Sequence, residues 1–206
     1  MTLDRAVVAA MLTSAAKLLA DNADRLSEID SRFGDGDHGV TIKKIARLLL
    51  DRVPQWEDES IQEFLDDLGT AIMEVKGGSA GPLYGTMIGG LGAELGPDEN
   101  VLDADGVKRM FAGCLSEMED ITTARVGDKT MMDALIPAVE AAQAADGSPR
   151  DILLAAAAAA EAGAVASEQF VSKFGRARSY KEQTIGTPDA GAVSTSLFIR
   201  GLAQGL

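Results

Sequence analysis

The sequence predicts an all-α fold: eight helices joined by short connections into an antiparallel up-and-down bundle, with a ligand site at one end. Three observations carry this expectation. Apolar residues recur at helical spacing through nearly the whole chain. Of the 206 residues 46% are hydrophobic but only 4% aromatic, so Ala, Leu, Val, Ile and Met fill the interior, side chains suited to close helix-to-helix packing. No stretch alternates convincingly as a strand, and no glycine-rich dinucleotide fingerprint stands between a strand and a helix.

Taken in order, Thr2 is placed as the N-cap of helix one, with Asp4 in its first turn. Val7, Val8, Met11, Leu12, Ala15, Leu18 and Leu19 form its apolar stripe, and Leu26 and Ile29 extend the pattern to an acidic loop. Helix two runs through Ile42, Ile45, Leu48 and Leu49 and must end near Val53, because Pro54 disfavours helical geometry in the residue before it. Ser60 and Glu63 form a capping-box pattern at the start of helix three. Pro82 fits the first turn of helix four, where a missing N–H costs nothing.

Asp103 caps helix five, and helix six runs from Met131 through Leu135, Ile136 and Val139. Ser148-Pro149 opens helix seven as N-cap and N1. Its run Ala155 to Ala160 reads as a buried helix face, since alanine is the best helix former and permits close approach. Helix eight follows through Val193, Leu197, Phe198, Ile199 and Leu202. The length fits a single domain spanning 1–206.

The net charge of -13 would repel a nucleic-acid backbone, so nucleic-acid partners are not expected. No apolar segment reaches the ~18 residues needed to cross a bilayer, and the start lacks a signal-peptide pattern, so no membrane association and a cytoplasmic location are expected. The single Cys114 agrees with a reducing compartment and reads as a buried small hydrophobe.

Chemistry concentrates in four connections. The stretch Ile29 to Thr41 puts Asp30, Asp35, Asp37 and the only histidine, His38, among three glycines. A hard cation such as Mg²⁺ takes carboxylate oxygens and substrate phosphates as ligands, although a solvated acidic turn would have the same composition. Gly39 stands just before helix two, whose first backbone amides and dipole favour an anion.

Gly77-Gly78-Ser79-Ala80-Gly81 likewise leads into a helix N-terminus. Gly127-Asp128-Lys129-Thr130 precedes helix six, with Asp128 equally readable as a cap or as a ligand contact. Lys173, Arg176, Arg178 and Lys181 make the only basic patch in an acidic chain, suited to phosphate charge. In an up-and-down bundle these connections precede helices two, four, six and eight, so all four should meet at one rim. Carboxylates for metal, amides for phosphate and an arginine for phosphate charge are the parts of a magnesium-nucleotide site for phosphoryl transfer. An acidic bundle with a purely structural metal is the plainer alternative.

The motifs Gly34-Asp35-Gly36-Asp37-His38-Gly39, Gly77 to Gly85, Gly127-Asp128-Lys129-Thr130-Met131 and Gly175-Arg176-Ala177, with Asp189-Ala190-Gly191, resemble the nucleotide-binding L subunit of two-component dihydroxyacetone kinases. The resemblance covers nearly the whole chain, in order. It implies an eight-helix antiparallel barrel binding ADP or ATP at one end through a pair of Mg²⁺ ions. By that pattern Asp30, Asp35 and Asp37 are metal ligands. His38, Gly39, Val40 and Thr41 contact nucleotide at helix two, Ser79 and Ala80 meet phosphate, Met131 packs near the adenine, and Gly78 and Thr130 are further nucleotide-binding residues. Arg176 stabilises phosphate charge, and Asp189, Ala190 and Gly191 complete the pocket.

The resemblance also implies a separate K subunit that holds the keto-sugar through its own histidine, and a phosphoenolpyruvate-linked phosphocarrier as a further partner. A nucleotide-binding regulatory module without catalysis of its own is the alternative. This chain departs from the family pattern at Thr122, at Ala190 in place of a proline, and across Arg178 to Gln183.

Overall fold

The computed structural model describes residues 2–206, and among them it has nine α-helices and a single two-residue β-ladder. The first arm of the bundle is two helices, α1 (Arg5–Asp21) and α2 (Ala23–Asp30), bent by 54° at Asn22. The other helices are α3 (His38–Arg52), α4 (Ile61–Met73), α5 (Ala80–Gly90), α6 (Ala104–Ile121), α7 (Met132–Ala144), α8 (Pro149–Ala166) and α9 (Ala190–Gln204). Counting the bent arm once gives eight, as the apolar pattern predicts. No single helix among the described residues is long and apolar enough to cross a membrane.

Helix starts follow the local chemistry closely. Ser60 accepts a hydrogen bond from the Glu63 N–H at 3.2 Å while the Glu63 carboxylate accepts from the Ser60 N–H at 2.9 Å. Ser148 and Asp151 repeat this box on α8, with Pro149 in the first turn. Asp103 caps α6 by accepting from the Gly106 N–H at 3.0 Å. Each such cap offsets orphan amides and contributes about 1 kcal/mol.

The expected cap at Thr2 is corrected. Leu3–Asp4 pairs antiparallel with Val101–Leu102, which holds the chain extended for two residues more. Asp4 therefore caps α1, accepting from the Val7 N–H at 2.9 Å. This ladder is too short for alternation to announce it.

The helices close into a ring. α1 packs on α3, α5 joins the α3–α4 side to α6, α7 and α8 pair closely, and α9 returns between α8 and α1. Leu12, Ile45, Leu65, Ile88, Phe111, Leu135 and Phe198 belong to one continuous buried core. Small residues set the spacing. A methyl group on Gly163 would overlap the Asp133 carbonyl of α7, and one on Gly201 would overlap α1 at Ala15. The face of α8 through Ala156, Ala157 and Ala160 is buried, as its composition predicts. Cys114 is buried too, and burial pushes its thiol up to about 12.

Candidate functional site

The connections before α3, α5, α7 and α9 meet at one end of the ring around a cleft of about 330 Å³. Helix geometry explains its polarity: α3, α5 and α7 all begin there, and none has a side-chain cap on its N-cap residue. The first amides of α5 are left available to an anion, where the helix dipole adds to the attraction, whereas those of α7 are taken by the Thr130 hydroxyl and by the Thr130 and Met131 carbonyls. Ser79 and Ala80 stand at the start of α5, and Gly78, with φ of +47°, makes the left-handed turn into it next to the Asp37 carboxylate.

Asp30 ends α2, while Asp35 and Asp37 lie on the loop that follows. Each offers a carboxylate oxygen, and the three lie within 4.8 Å of one another. A set made only of carboxylates suits a hard cation such as Mg²⁺ rather than Zn²⁺. A side chain at Gly34 would overlap the Asp30 carboxylate, so the glycine keeps that oxygen accessible. Burial, together with the charges of Asp35 and Asp30, holds the Asp37 carboxyl above its ordinary range. At Asp35 the cost of burial is outweighed by a hydrogen bond from its own backbone and by the Arg176 guanidinium, and its carboxyl lies below that range. The crowding of like charge is what a divalent cation would relieve, so the residues fit one.

Arg176 reaches across from the connection between α8 and α9 and forms an ion pair with Asp35. Aromatic rings close the same gap, with Phe33 and Tyr180 5.2 Å apart. Phe33, Leu83, Met131 and Phe174 give the cleft apolar walls. The Tyr84 hydroxyl lies at the floor, fully buried, near Ser194 and Thr195 but without a well-formed hydrogen bond to either, and burial drives its pKa upward. His38 Nε2 sits 2.9 Å from Ser194 Oγ; burial lowers its pKa, which favours the neutral ring, although the Asp30 charge pulls the other way.

Thirteen of the sixteen residues singled out in the sequence line this cleft: Asp30, Asp35, Asp37, His38, Gly78, Ser79, Ala80, Thr130, Met131, Arg176, Asp189, Ala190 and Gly191. Gly39, Val40 and Thr41 do not. Gly39 is buried where α3 crosses α2, and a side chain there would strike the Ala23 carbonyl. Thr41 is 1% exposed and packs against Gly77, while Val40 faces outward at 53%.

Asp128 is not the cap of α7. Its carboxylate accepts from the Arg125 N–H at 2.8 Å and pairs with Lys173 at 2.6 Å. Asp133, in the first turn of α7, instead fixes the preceding loop, accepting from the Gly127 and Thr130 amides at 2.6 Å each. Burial raises the Asp133 carboxyl. Asp189 caps α9 through the Ala192 N–H at 2.8 Å, and burial pushes its pKa up to about 7.

The residues that motif reading passed over are Lys129, Phe33, Phe174, Tyr84 and Ser194. Lys129 and Tyr84 stand inside recognised motifs, but only the fold shows that both are buried. Phe33 and Phe174 looked like ordinary loop apolars, and nothing in the sequence signals that both line one cleft.

Fold and site together define an all-helical protein with an acidic, amide-rich anion cleft at one end of a ring. Residues 32–204 match the family described as the DAK2 domain, and the chain belongs to that family. It is 35% identical over 207 residues to D-erythrulose kinase of Mycolicibacterium smegmatis, covering 96% of this chain and 35% of that protein. It is also 29% identical over 212 residues to the ADP-binding subunit DhaL of PEP-dependent dihydroxyacetone kinase 2 from Listeria innocua, covering 100% of this chain and 97% of that subunit. The chain thus spans about a third of the erythrulose kinase but almost all of the ADP-binding subunit.

Among solved structures it is similar to the dihydroxyacetone kinase from C. freundii in complex with AMP-PNP and Mg²⁺. The TM-score is 0.74 at 26% identity, covering 100% of this chain and 35% of that one. The resemblance read from the motifs is the same family.

Proposed function

We propose that this chain, over 1–206, is the nucleotide-binding subunit of a keto-sugar kinase of the dihydroxyacetone type, working in the cytoplasm. It would bind ADP or ATP with Mg²⁺ at the ring mouth and pass a phosphoryl group to a small ketose held on a partner K subunit. The observation that carries this reading is the convergence of a three-carboxylate cluster, the N-termini of α3 and α5 and Arg176 on one cleft. The names of the relatives support it: erythrulose kinases, ADP-binding subunits and a kinase that binds AMP-PNP and Mg²⁺.

Asp30, Asp35 and Asp37 would hold magnesium, and three carboxylates suffice for a pair of ions sharing ligands with phosphate. Bound there, the metal would neutralise phosphate oxygens as charge develops during transfer. The chain's own groups act beside it. The α3 and α5 amides orient the phosphates, and Thr130 stands with Met131 on the apolar wall that would receive the base. Arg176 supplies positive charge to the transferring group, in the low-dielectric setting that closure against a partner would create. His38, neutral and tied to Ser194, orients the start of α3. Asp189, Ala190 and Gly191 form the far wall. The donor could be free ATP, or a phosphoenolpyruvate-linked phosphocarrier that recharges retained ADP.

A reconstituted assay tests the reading. Adding a K-type partner and dihydroxyacetone or erythrulose should yield sugar phosphate with ATP or with the phosphocarrier as donor. Asp35→Asn and Asp37→Asn should abolish both turnover and calorimetric Mg-nucleotide binding while helical circular dichroism is unchanged. Undiminished nucleotide affinity in both variants would defeat the assignment.

A further inference from the structure

The connection between α8 and α9 leaves the ring after Ala166, carries Arg176 at its far reach, and returns at Asp189. Two short 3-10 segments, Ser167–Gln169 and Arg176–Thr184, run along it, and its residues from Lys173 to Arg176 are exposed. Its two ends meet at a single side chain from another loop. Lys129, 5% exposed, donates from Nζ to the Ser167 carbonyl at 2.6 Å, the Phe170 carbonyl at 3.1 Å and the Thr187 carbonyl at 2.5 Å. Ser167 and Phe170 lie on the outgoing strand of the connection and Thr187 on the returning one.

An ammonium has three N–H donors and no acceptor, so three carbonyls saturate it. None is left for a phosphate. A lysine in a glycine-flanked loop at a phosphate-type cleft invites comparison with a phosphate-binding lysine, and this geometry excludes that role. The same geometry gives a different one. Ser167 and Thr187 are themselves buried, so without the ammonium their carbonyls would lose a charge-assisted partner in a site poor in water. The cation also sits at the C-terminal end of α8, where the helix dipole favours positive charge. Lys129 has φ of +60°, an uncommon conformation for a non-glycine residue, which the loop adopts with the Asp133 carboxylate fixing the amides on either side.

We infer that Lys129 is a positioning residue: its ammonium staples the two ends of the 167–187 connection together and thereby holds Arg176 over the cleft. The assignment of Arg176 to phosphate charge rests on the kinase reading above, but the staple itself does not. Further cross-links lie along the same connection, namely the Gly186 N–H donating to the Glu168 carbonyl at 2.7 Å and the Ser172 N–H donating to Thr184 Oγ1 at 3.1 Å. Those bonds shape the loop; Lys129 ties its two ends to the body of the ring, and Lys173 ties its middle there through its N–H to the Asp128 carbonyl at 3.1 Å and its ammonium to the Asp128 carboxylate at 2.6 Å.

The test pairs a measurement that needs no nucleotide with one that does. In nucleotide-free protein, Lys129→Met should speed amide hydrogen exchange across 168–187 by at least about tenfold, with α1 and α6 unchanged. In the reconstituted assay it should lower kcat about tenfold or more and leave KM for Mg-ATP within about threefold. In an Arg176→Ala background the same substitution should have no further effect on kcat, since a residue acting through another is not additive with it.

Unchanged exchange, or additive losses in the double variant, would overturn the inference. Altered exchange with no sugar phosphate formed by any variant or by the parent would sink the kinase reading and leave the staple standing. The unaltered protein gives an independent reading that needs no variant to fold. Protons on the Lys129 ammonium should exchange with water at least about tenfold more slowly than those of exposed lysines, and equal rates would overturn the proposal.

Discussion

At Asp189 the same carboxylate caps α9 and lies next to Lys129 and Asp133 in a half-buried site, with burial pushing its pKa up to about 7 from 3.8. A group with a raised folded pKa contributes stability that is fully present below its unfolded value and is lost as pH rises through the folded one. The folded chain therefore holds a proton that the unfolded chain releases between about pH 4 and pH 7. Asp189→Asn keeps a side-chain acceptor at the cap and cannot ionise. Its urea midpoint should rise relative to the parent as pH increases across that window, and a constant difference would show that Asp189 titrates normally.

Individual residues were the least legible scale. The three aspartates and Arg176 could be singled out because carboxylates and a lone basic patch carry obvious chemistry. The burial of Lys129 could not, since a lysine at 5% exposure looks like any other lysine until three distant carbonyls are brought around it. Gly39 and Thr41 sit in a recognised motif, yet here they serve the crossing of α3 with α2 and with Gly77.

Among the elements, helix starts were well marked because caps are local. Ser60, Asp103 and Ser148 act as their neighbours predict, and the start of α1 moved only because a ladder of two residue pairs holds Leu3 and Asp4 extended. Helix contacts are less visible, as they depend on which glycines face a neighbour. Gly163 is one of them: its Cα lies against the Asp133 carbonyl, in the first turn of α7. Gly163→Ala should destabilise the fold by ~2 kcal/mol through overpacking, which for a chain of this size lowers Tm by roughly 4–8 °C. A helix-propensity gain without such a loss, measured by thermal unfolding, would show that α7 and α8 can separate freely.

For the whole molecule, the net charge of -13 sets a condition on the cleft. Nucleotide phosphates are anions approaching an acidic protein at its most acidic loop, and Coulomb repulsion opposes them unless a divalent cation intervenes. Stripping Mg²⁺ with a chelator should weaken ADP binding on the order of 100-fold, ~2.8 kcal/mol, and restoring Mg²⁺ should recover it. Affinity indifferent to the chelator would mean that the three aspartates do not hold a metal bridging to phosphate. The architecture at this scale was readable, because short connections make successive helices antiparallel and so put alternate loops at the same end. Closure of the ring was readable only through the family resemblance, since apolar periodicity does not say which helix the last one joins.

The return of α9 against α1 also governs how the chain comes to be. One wall of the cleft, Asp189 to Gly191, is anchored by the helix that must find a partner made nearly two hundred residues earlier. Contacts of such long sequence separation are slow to form, because their loop-closure entropy is lost before they stabilise anything. A nascent chain emerging from synthesis accordingly shows the acidic loop long before the arginine and the far wall arrive. Any ligand that needs all of them recognises only molecules whose last helix has docked, and its binding holds the acidic loop and the far wall in place at once.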